Sequence, residues 1–218
     1  MEIKLDNKKI YALIGDDTKK DIFNIDKEVI STNFNFKKET LIEEVEQVLQ
    51  DINYLNYHKK ANDALIIVGL ESKKNEKIET LSTGEKILLN IACSLSKNTK
   101  EIIFDDIFYY LDNDNRKLLI KLIRMMQLRY GKTILIVSNN IDFIYPFVDY
   151  YYVINNHNVV LEGDKELFYN KKEELKKYEV DIPKIVEFIN LVLQKKSIIL
   201  HHRNDIKDLM KDIYRSVI

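Results

Sequence analysis

Two groups of residues have the types and spacing to do chemistry. Asp105 and Asp106 stand together at the end of the apolar run Ile102-Ile103-Phe104, with Asp112 a short way on. Carboxylates at the C-terminal edge of a buried strand lie where open α/β sheets hold ligands, and such a pair can take Mg²⁺ directly or through water. The same pair would also serve to cap the following turn. Upstream, Ser82-Thr83-Gly84-Glu85 precedes a strongly apolar segment. Serine followed three residues later by glutamate has the form of a capping box, and the helix N-terminus it opens offers free N–H groups and partial positive charge to an anion. A plain N-cap accounts for the serine but not for the whole run.

These residues need elements to hold them. Ile10 to Ile14 is a short apolar run ending at Gly15, the pattern of a buried strand entering a turn where a phosphate loop could follow. Residues 16–38 are polar and weakly patterned, which predicts a hairpin or an irregular connection. Leu41, Val45, Val48, Leu49 and Ile52 recur at helical steps after Thr40, and a second helical segment runs from about Lys59 to Val68. Ile87, Leu88, Ile91, Ala92 and Leu95 form the buried stripe of the helix after Ser82. Next come a strand at Glu101 to Phe104, a helix from about Asn113 to Tyr130, a turn at Gly131-Lys132 and a strand at Thr133 to Val137. Strand, helix and strand with short links imply parallel pairing with a right-handed crossover. Helical pattern over Ile141 to Phe147 is followed by a hairpin, Tyr150 to Ile154 and Val159 to Leu161, turning at Asn155-Asn156-His157-Asn158. Residues 164–218 read as mostly helical.

In order, spacing and flanking hydrophobicity, LSTGEKILLNIACSL, then EIIFDDIFYYLD, then GKTILIVSNNIDFIYPFVDYYYVINNHNVVLEG resemble the ATP-binding-cassette (ABC) ATPases from signature to switch loop, over residues 81–163. The resemblance implies an α/β fold of the ABC-type P-loop NTPase class, with a mostly parallel sheet, a helical subdomain at about residues 40–100 and a reduced N-terminal β-subdomain. It implies an ATPase-like domain over 1–163 and a helical extension over 164–218. It also implies ATP with Mg²⁺ as cofactors, Asp105 as the metal-binding carboxylate, and Gly15, Lys20 and Asp112 at nucleotide. Ser82, Thr83, Gly84 and Glu85 would be presented to the γ-phosphate of nucleotide held by a second subunit. Thr83 stands where the family usually has glycine.

Departures from the pattern are concentrated in the chain's own site. A phosphate loop of the form GxxxxGKS/T wraps amides around phosphate, with its Lys and Ser/Thr at the phosphates and Mg²⁺. Here Gly15 is followed by Asp16-Asp17-Thr18-Lys19-Lys20-Asp21-Ile22, with neither the second glycine nor the Ser/Thr in place, and with acidic side chains that oppose a triphosphate. Asp106 takes the place of the catalytic glutamate with a side chain one methylene shorter, and misplacement on this scale costs orders of magnitude in rate. Asn139 takes the place of the switch histidine; an amide still hydrogen-bonds but carries no charge and shuttles no proton. Ile107-Phe108-Tyr109-Tyr110 replaces a small, Pro-containing turn. Asn33 and Asn35 are both candidates for the glutamine loop.

Val160-Leu161-Glu162-Gly163 through Leu167-Phe168, Asp181-Ile182-Pro183-Lys184 opening a helix, and a last helix over Asp205 to Val217 resemble the ATP-binding subunits of energy-coupling-factor transporters. This implies a cytoplasmic subunit, peripheral at the inner face of the membrane, that pairs with a second ABC ATPase subunit as a heterodimer and docks on a transmembrane component. Its own site would be silent while its signature completes the partner's. A structural or regulatory pseudo-ATPase is the alternative. A chromosome- or repair-type ATPase head carries a similar signature, and the transporter-like tail argues against it. With 34 basic and 35 acidic residues, net charge −1, no global field draws the chain to nucleic acid. No stretch approaches the roughly 18 apolar residues of a membrane span. Cys93, the only cysteine, lies in an apolar run and reads as a buried structural thiol. His58, His157, His201 and His202 have no partners at metal-ligand spacing.

Overall fold

The computed structural model describes residues 3, 5, 6, 8–17, 28–97, 99–196 and 208–211. In chain order its strands and helices are β1 (Ile10–Gly15), β2 (Glu28–Ile30), α1 (Leu41–Asp51), α2 (Tyr57–Ile67), α3 (Thr83–Ser96), β3 (Glu101–Asp105), α4 (Asn113–Leu128), β4 (Thr133–Val137), α5 (Ile141–Ile144), β5 (Tyr150–Asn155), β6 (Asn158–Gly163), α6 (Leu167–Asn170), α7 (Lys172–Lys177) and α8 (Lys184–Lys196). The sheet order is β2-β3-β4-β1-β5-β6. Parallel pairing of β1 with β5 and of β2 with β3, and antiparallel pairing of β5 with β6, make it the mostly parallel α/β sheet that strand-helix-strand alternation predicts. The chain divides into two compact units, one of Met1–Leu5, Ile10–Phe23 and Ile136–Ile218, the other of Asp6–Lys9 and Asn24–Leu135.

In the second unit, α1, α2 and α3 pack on one another. Thr40 opens α1 with a capping box: its hydroxyl accepts from Glu43 N at 3.5 Å, and Glu43 Oε2 accepts from Thr40 N at 3.1 Å. Leu41, Val45 and Leu49 are fully buried, each removal from water contributing about 1.5–3 kcal/mol. Ile52, expected to continue that stripe, is instead 46% exposed, because the helix ends at Asp51 and Ile52 turns out as its C-cap. Glu44 lies on the buried side at 6% exposure; its Oε2 accepts from Lys37 N and Lys38 N, both at 2.8 Å, and so ties the incoming segment to α1. Residues 28–30, within the stretch read as hairpin or irregular, form β2, which runs parallel to β3 in the register Val29↔Ile103. Burial pushes the Cys93 thiol up to about 12, so the cysteine is the inert structural thiol its apolar surroundings predict.

In the first unit, β1 is buried along its whole length, as a strand covered on both faces must be. It pairs with β5 from Tyr11↔Tyr150 to Gly15↔Ile154. Asn156 (φ 48°) and His157 (φ 59°) close the β5–β6 hairpin, both in the left-handed region that primed hairpin turns require. Tyr145, Tyr151 and Phe168 meet edge to face, with ring centroids 5.7 Å and 4.8 Å from Phe168. The helix at 141 stops at Ile144, short of the expected Phe147. Asp142 pins the start of α8 by accepting from Lys184 N at 2.7 Å and pairing with its ammonium at 3.2 Å. Residues 208–211 are helical; the rest of the expected last helix, with His201 and His202, lies outside the described residues.

Candidate functional site

Signature residues sit on the second unit. Ser82 is the N-cap of α3 in extended backbone (φ −62°, ψ 161°), Thr83 is its first helical residue, and both are exposed. Their side chains stand out because the buried stripe begins only after them. The capping box foreseen from the sequence is closed: Ser82 Oγ accepts from Glu85 N at 3.3 Å, while Glu85 Oε2 accepts from Ser82 N and from Ser82 Oγ, each at 2.9 Å. A residue that sequence reasoning did not single out completes the group. Lys73, in the 3-10 turn Glu71–Lys73, pairs through its ammonium with Glu85 Oε1 at 2.8 Å. Lys73 and the Ser82 amide together hold the Glu85 carboxyl below the usual carboxylate range.

Gly84 is the buried member of the turn. A Cβ placed on it would meet Tyr110 O at 3.4 Å, Leu111 Cδ2 at 3.5 Å and Asn115 Nδ2 at 3.6 Å. The signature helix thus starts against the segment leading into α4. Asp112 caps α4, its Oδ1 accepting from Asp114 N at 3.0 Å and Asn115 N at 2.8 Å, and its Oδ2 from Asn115 Nδ2 at 3.1 Å. Asp112 is therefore brought beside Gly84 through Asn115, with its carboxylate engaged in capping. The bulky turn Ile107–Tyr110 splits its side chains: Ile107 and Phe108 are buried, whereas Tyr109 and Tyr110 are 58% and 53% exposed.

Asp105 ends β3 and Asp106 follows it in left-handed backbone (φ 52°, ψ 32°), a conformation aspartate tolerates better than most residues. Both are half-buried, and Asp106 Oδ1 is enclosed without a hydrogen-bond partner. A buried acceptor of this kind suits a hydrogen-bond donor or a cation. Toward Mg²⁺ the pair offers one or two carboxylate ligands, the usual protein share, with phosphate oxygens and water to complete the shell; among the described residues no group of three or more His, Cys, Asp or Glu side chains is placed to hold a metal by itself.

The first unit holds the other two described candidates, and it brings them into contact. Gly15 has φ +115°, and a Cβ there would lie 2.1 Å from Ile154 O, so the contact with β5 alone demands glycine. Asn139 Oδ1 accepts from Gly15 N at 3.0 Å, and Asn139 Nδ2 donates to Gly15 O at 2.8 Å. Beyond the glycine, Asp16 N donates to Ile154 O at 3.1 Å and Asp16 Oδ2 accepts from Asn156 N at 2.8 Å. The amides of Gly15, the last residue of β1, and of Asp16 after it are thus satisfied within the unit. Lys20 lies outside the described residues.

No family model matches the chain. Its homologues are ATP-binding subunits of ABC transporters. It is 29% identical over 137 residues to the energy-coupling factor transporter ATP-binding protein EcfA2 of Clostridium perfringens, covering 63% of this chain and 48% of that protein. It is 31% identical over 150 residues to the energy-coupling factor transporter ATP-binding protein EcfA1 of Ligilactobacillus salivarius, covering 69% of this chain and 52% of that protein. The chain therefore spans about half the length of the curated relatives it matches. Among solved structures it resembles cbiO1 of Clostridium perfringens, described as part of the ABC transporter complex cbiONQ, with TM-score 0.66, 20% identity, and coverage of 86% of this chain and 90% of that one. The fold is that of an ABC ATPase cassette.

Proposed function

We propose that this chain, whose homologues are ATP-binding subunits of energy-coupling factor and other ABC transporters, is a cassette subunit whose own nucleotide site is eroded and whose signature turn completes the ATP site of a second cassette. The observation that carries this reading is the contrast between its two half-sites. At the end of β1, the amides of Gly15 and Asp16 are taken up by Asn139 and Ile154. At the start of α3, Ser82 and Thr83 are exposed on a fully formed helix N-terminus, the arrangement that binds anions.

In this reading Ser82, Thr83 and Gly84 meet the γ-phosphate of ATP held by the partner, the Ser82 hydroxyl exchanging its bond to Glu85 for one to the phosphate while Glu85 holds the Ser82 amide. ATP with Mg²⁺ belongs to the partner's phosphate loop; when bound there it supplies the phosphoryl group and its charge compensation. Asp105 would be the Mg²⁺ carboxylate of the chain's own site, and Asp106 and Asn139 its reduced catalytic and switch positions. The partner is a cassette with a complete phosphate loop, and the pair docks on a transmembrane component at the inner face of the membrane. Among the described residues no helix is long and apolar enough to cross a membrane.

Calorimetry with Mg-ATP tests the reading. The purified chain alone is expected to give no binding heat, whereas the complex isolated from its host through a tag on this chain hydrolyses ATP and loses that activity at least about tenfold with Ser82→Ala combined with Gly84→Val. Clear binding by the chain alone, abolished by Lys20→Ala, would show a working phosphate loop and end the claim of erosion. Full activity of the doubly substituted complex would end the composite-site claim.

A further inference from the structure

Glu85 is a difficult residue for a turn that is to receive phosphate. Its carboxylate lies 2.9 Å from both the amide and the hydroxyl of Ser82, so it puts a negative charge beside the atoms that would meet the incoming anion. A like charge at about 4 Å weakens binding about fivefold even at the dielectric of water. Only Lys73 is placed to cancel it among the ion pairs of the described residues, at 2.8 Å from Glu85 Oε1. The same ammonium is 3.8 Å from Glu76 Oε2, so Glu85 is its nearer partner.

Building on the composite-site reading, we infer that Lys73 is a positioning residue of the signature turn: by neutralising Glu85 it lets the carboxylate orient Ser82 without repelling the partner's triphosphate. The fold does not need the pair. Lys73 and Glu85 side chains are 38% and 22% exposed, and ion pairs so near the solvent contribute little to stability. The capping box has its own bonds, Glu85 N to Ser82 Oγ and Ser82 N to Glu85 Oε2, and these persist without the lysine. What the lysine alters is charge at the helix start. Its place could not be read from the sequence, because Lys73 and Glu85 lie on different elements with no helical or strand spacing between them.

The test is the ATP dependence of hydrolysis by the complex isolated through a tag on this chain. Lys73→Ala is expected to raise KM about fivefold and leave kcat unchanged, Lys73→Arg to behave as the parent, and Lys73→Ala with Glu85→Gln to return KM to the parent value. A purely structural pair instead predicts a lowered melting temperature for Lys73→Ala and no specific rise in KM. An unchanged KM in Lys73→Ala, no recovery in the double variant, or a thermal melt of Lys73→Ala well below the parent would each overturn the inference. Ser82→Ala is measured in parallel. If it too has no effect, the composite-site reading falls; if it is damaging while Lys73→Ala is silent, only the role of Lys73 falls.

Discussion

Gly84 is the residue at which stability and function should part. It lies in the first turn of α3, and a Cβ there would find ordinary contacts no closer than 3.4 Å, so the fold itself does not exclude alanine. Glycine in a helix costs roughly 0.5–1 kcal/mol relative to alanine. Gly84→Ala is therefore expected to raise the stability of the isolated chain by about 0.5 kcal/mol in urea unfolding, while lowering ATP turnover by the complex, because the methyl group presses on Tyr110 O, Leu111 and Asn115 and shifts the turn that they back. A neutral effect on turnover would leave the glycine without a reason. Asn139 is the converse case. Its amide makes two bonds to the backbone of Gly15, at 3.0 Å and 2.8 Å, and a side chain so used is a brace. Asn139→Ala should cost about 1–2 kcal/mol in the same unfolding experiment. Asn139→His should cost a similar amount, since the two nitrogens of an imidazole point away from each other and cannot meet the N–H and the C=O of Gly15 together. The sequence resemblance sets Asn139 at the place of a switch histidine, but that it closes on Gly15 is not legible there, because the pairing joins residues far apart in the chain.

At the scale of the element, α3 owes its start to charge as well as to apolar pattern. Glu85 has its carboxyl pKa lowered by Lys73 and by Ser82, and a group whose pKa is depressed on folding contributes stability above its unfolded value and loses it as pH falls through the folded one. The contribution is thus complete at neutral pH and disappears below the ordinary carboxylate range around 4.5. Melting temperature followed from pH 6 to pH 3 should fall more steeply for the parent than for Glu85→Gln; parallel curves would mean the carboxylate contributes nothing to the folded state. This helix was legible because three signals agree on it: Ser82 with Glu85, the stripe from Ile87 to Ala92, and the strand that follows. The same agreement made β3, α4 and β4 legible. Where signals were few, the reading failed. β2 is a three-residue strand, Glu28-Val29-Ile30, at the end of the sheet order, and its alignment is dictated by β3 and by the ion pair of Glu28 with Lys97 at 2.8 Å, neither of which a local pattern contains. Ile52 extended the stripe of α1 in the sequence but not in space, since periodicity does not say where a helix stops.

For the whole molecule the question is whether its own loop binds nucleotide. A ligand that binds only the folded state stabilises it by about 2.7 kcal/mol at a hundred times its Kd. In a chain of 218 residues each kcal/mol moves the melting temperature by roughly 2–4 °C. An intact phosphate loop would therefore reveal itself as a rise of several degrees in Mg-ATP. The isolated chain is expected to show none: Gly15 and Asp16 amides are already bonded, and Asp16 and Asp17 put negative charge at the loop. In the tagged complex the composite-site proposal predicts the reverse, because Mg-ATP bound by a partner and touched by Ser82 would stabilise both subunits together. The shift should shrink with Ser82→Ala and stay unchanged with Lys20→Ala. If Lys20→Ala abolishes it instead, nucleotide sits in this chain's own loop, and the asymmetry between its two half-sites is only apparent.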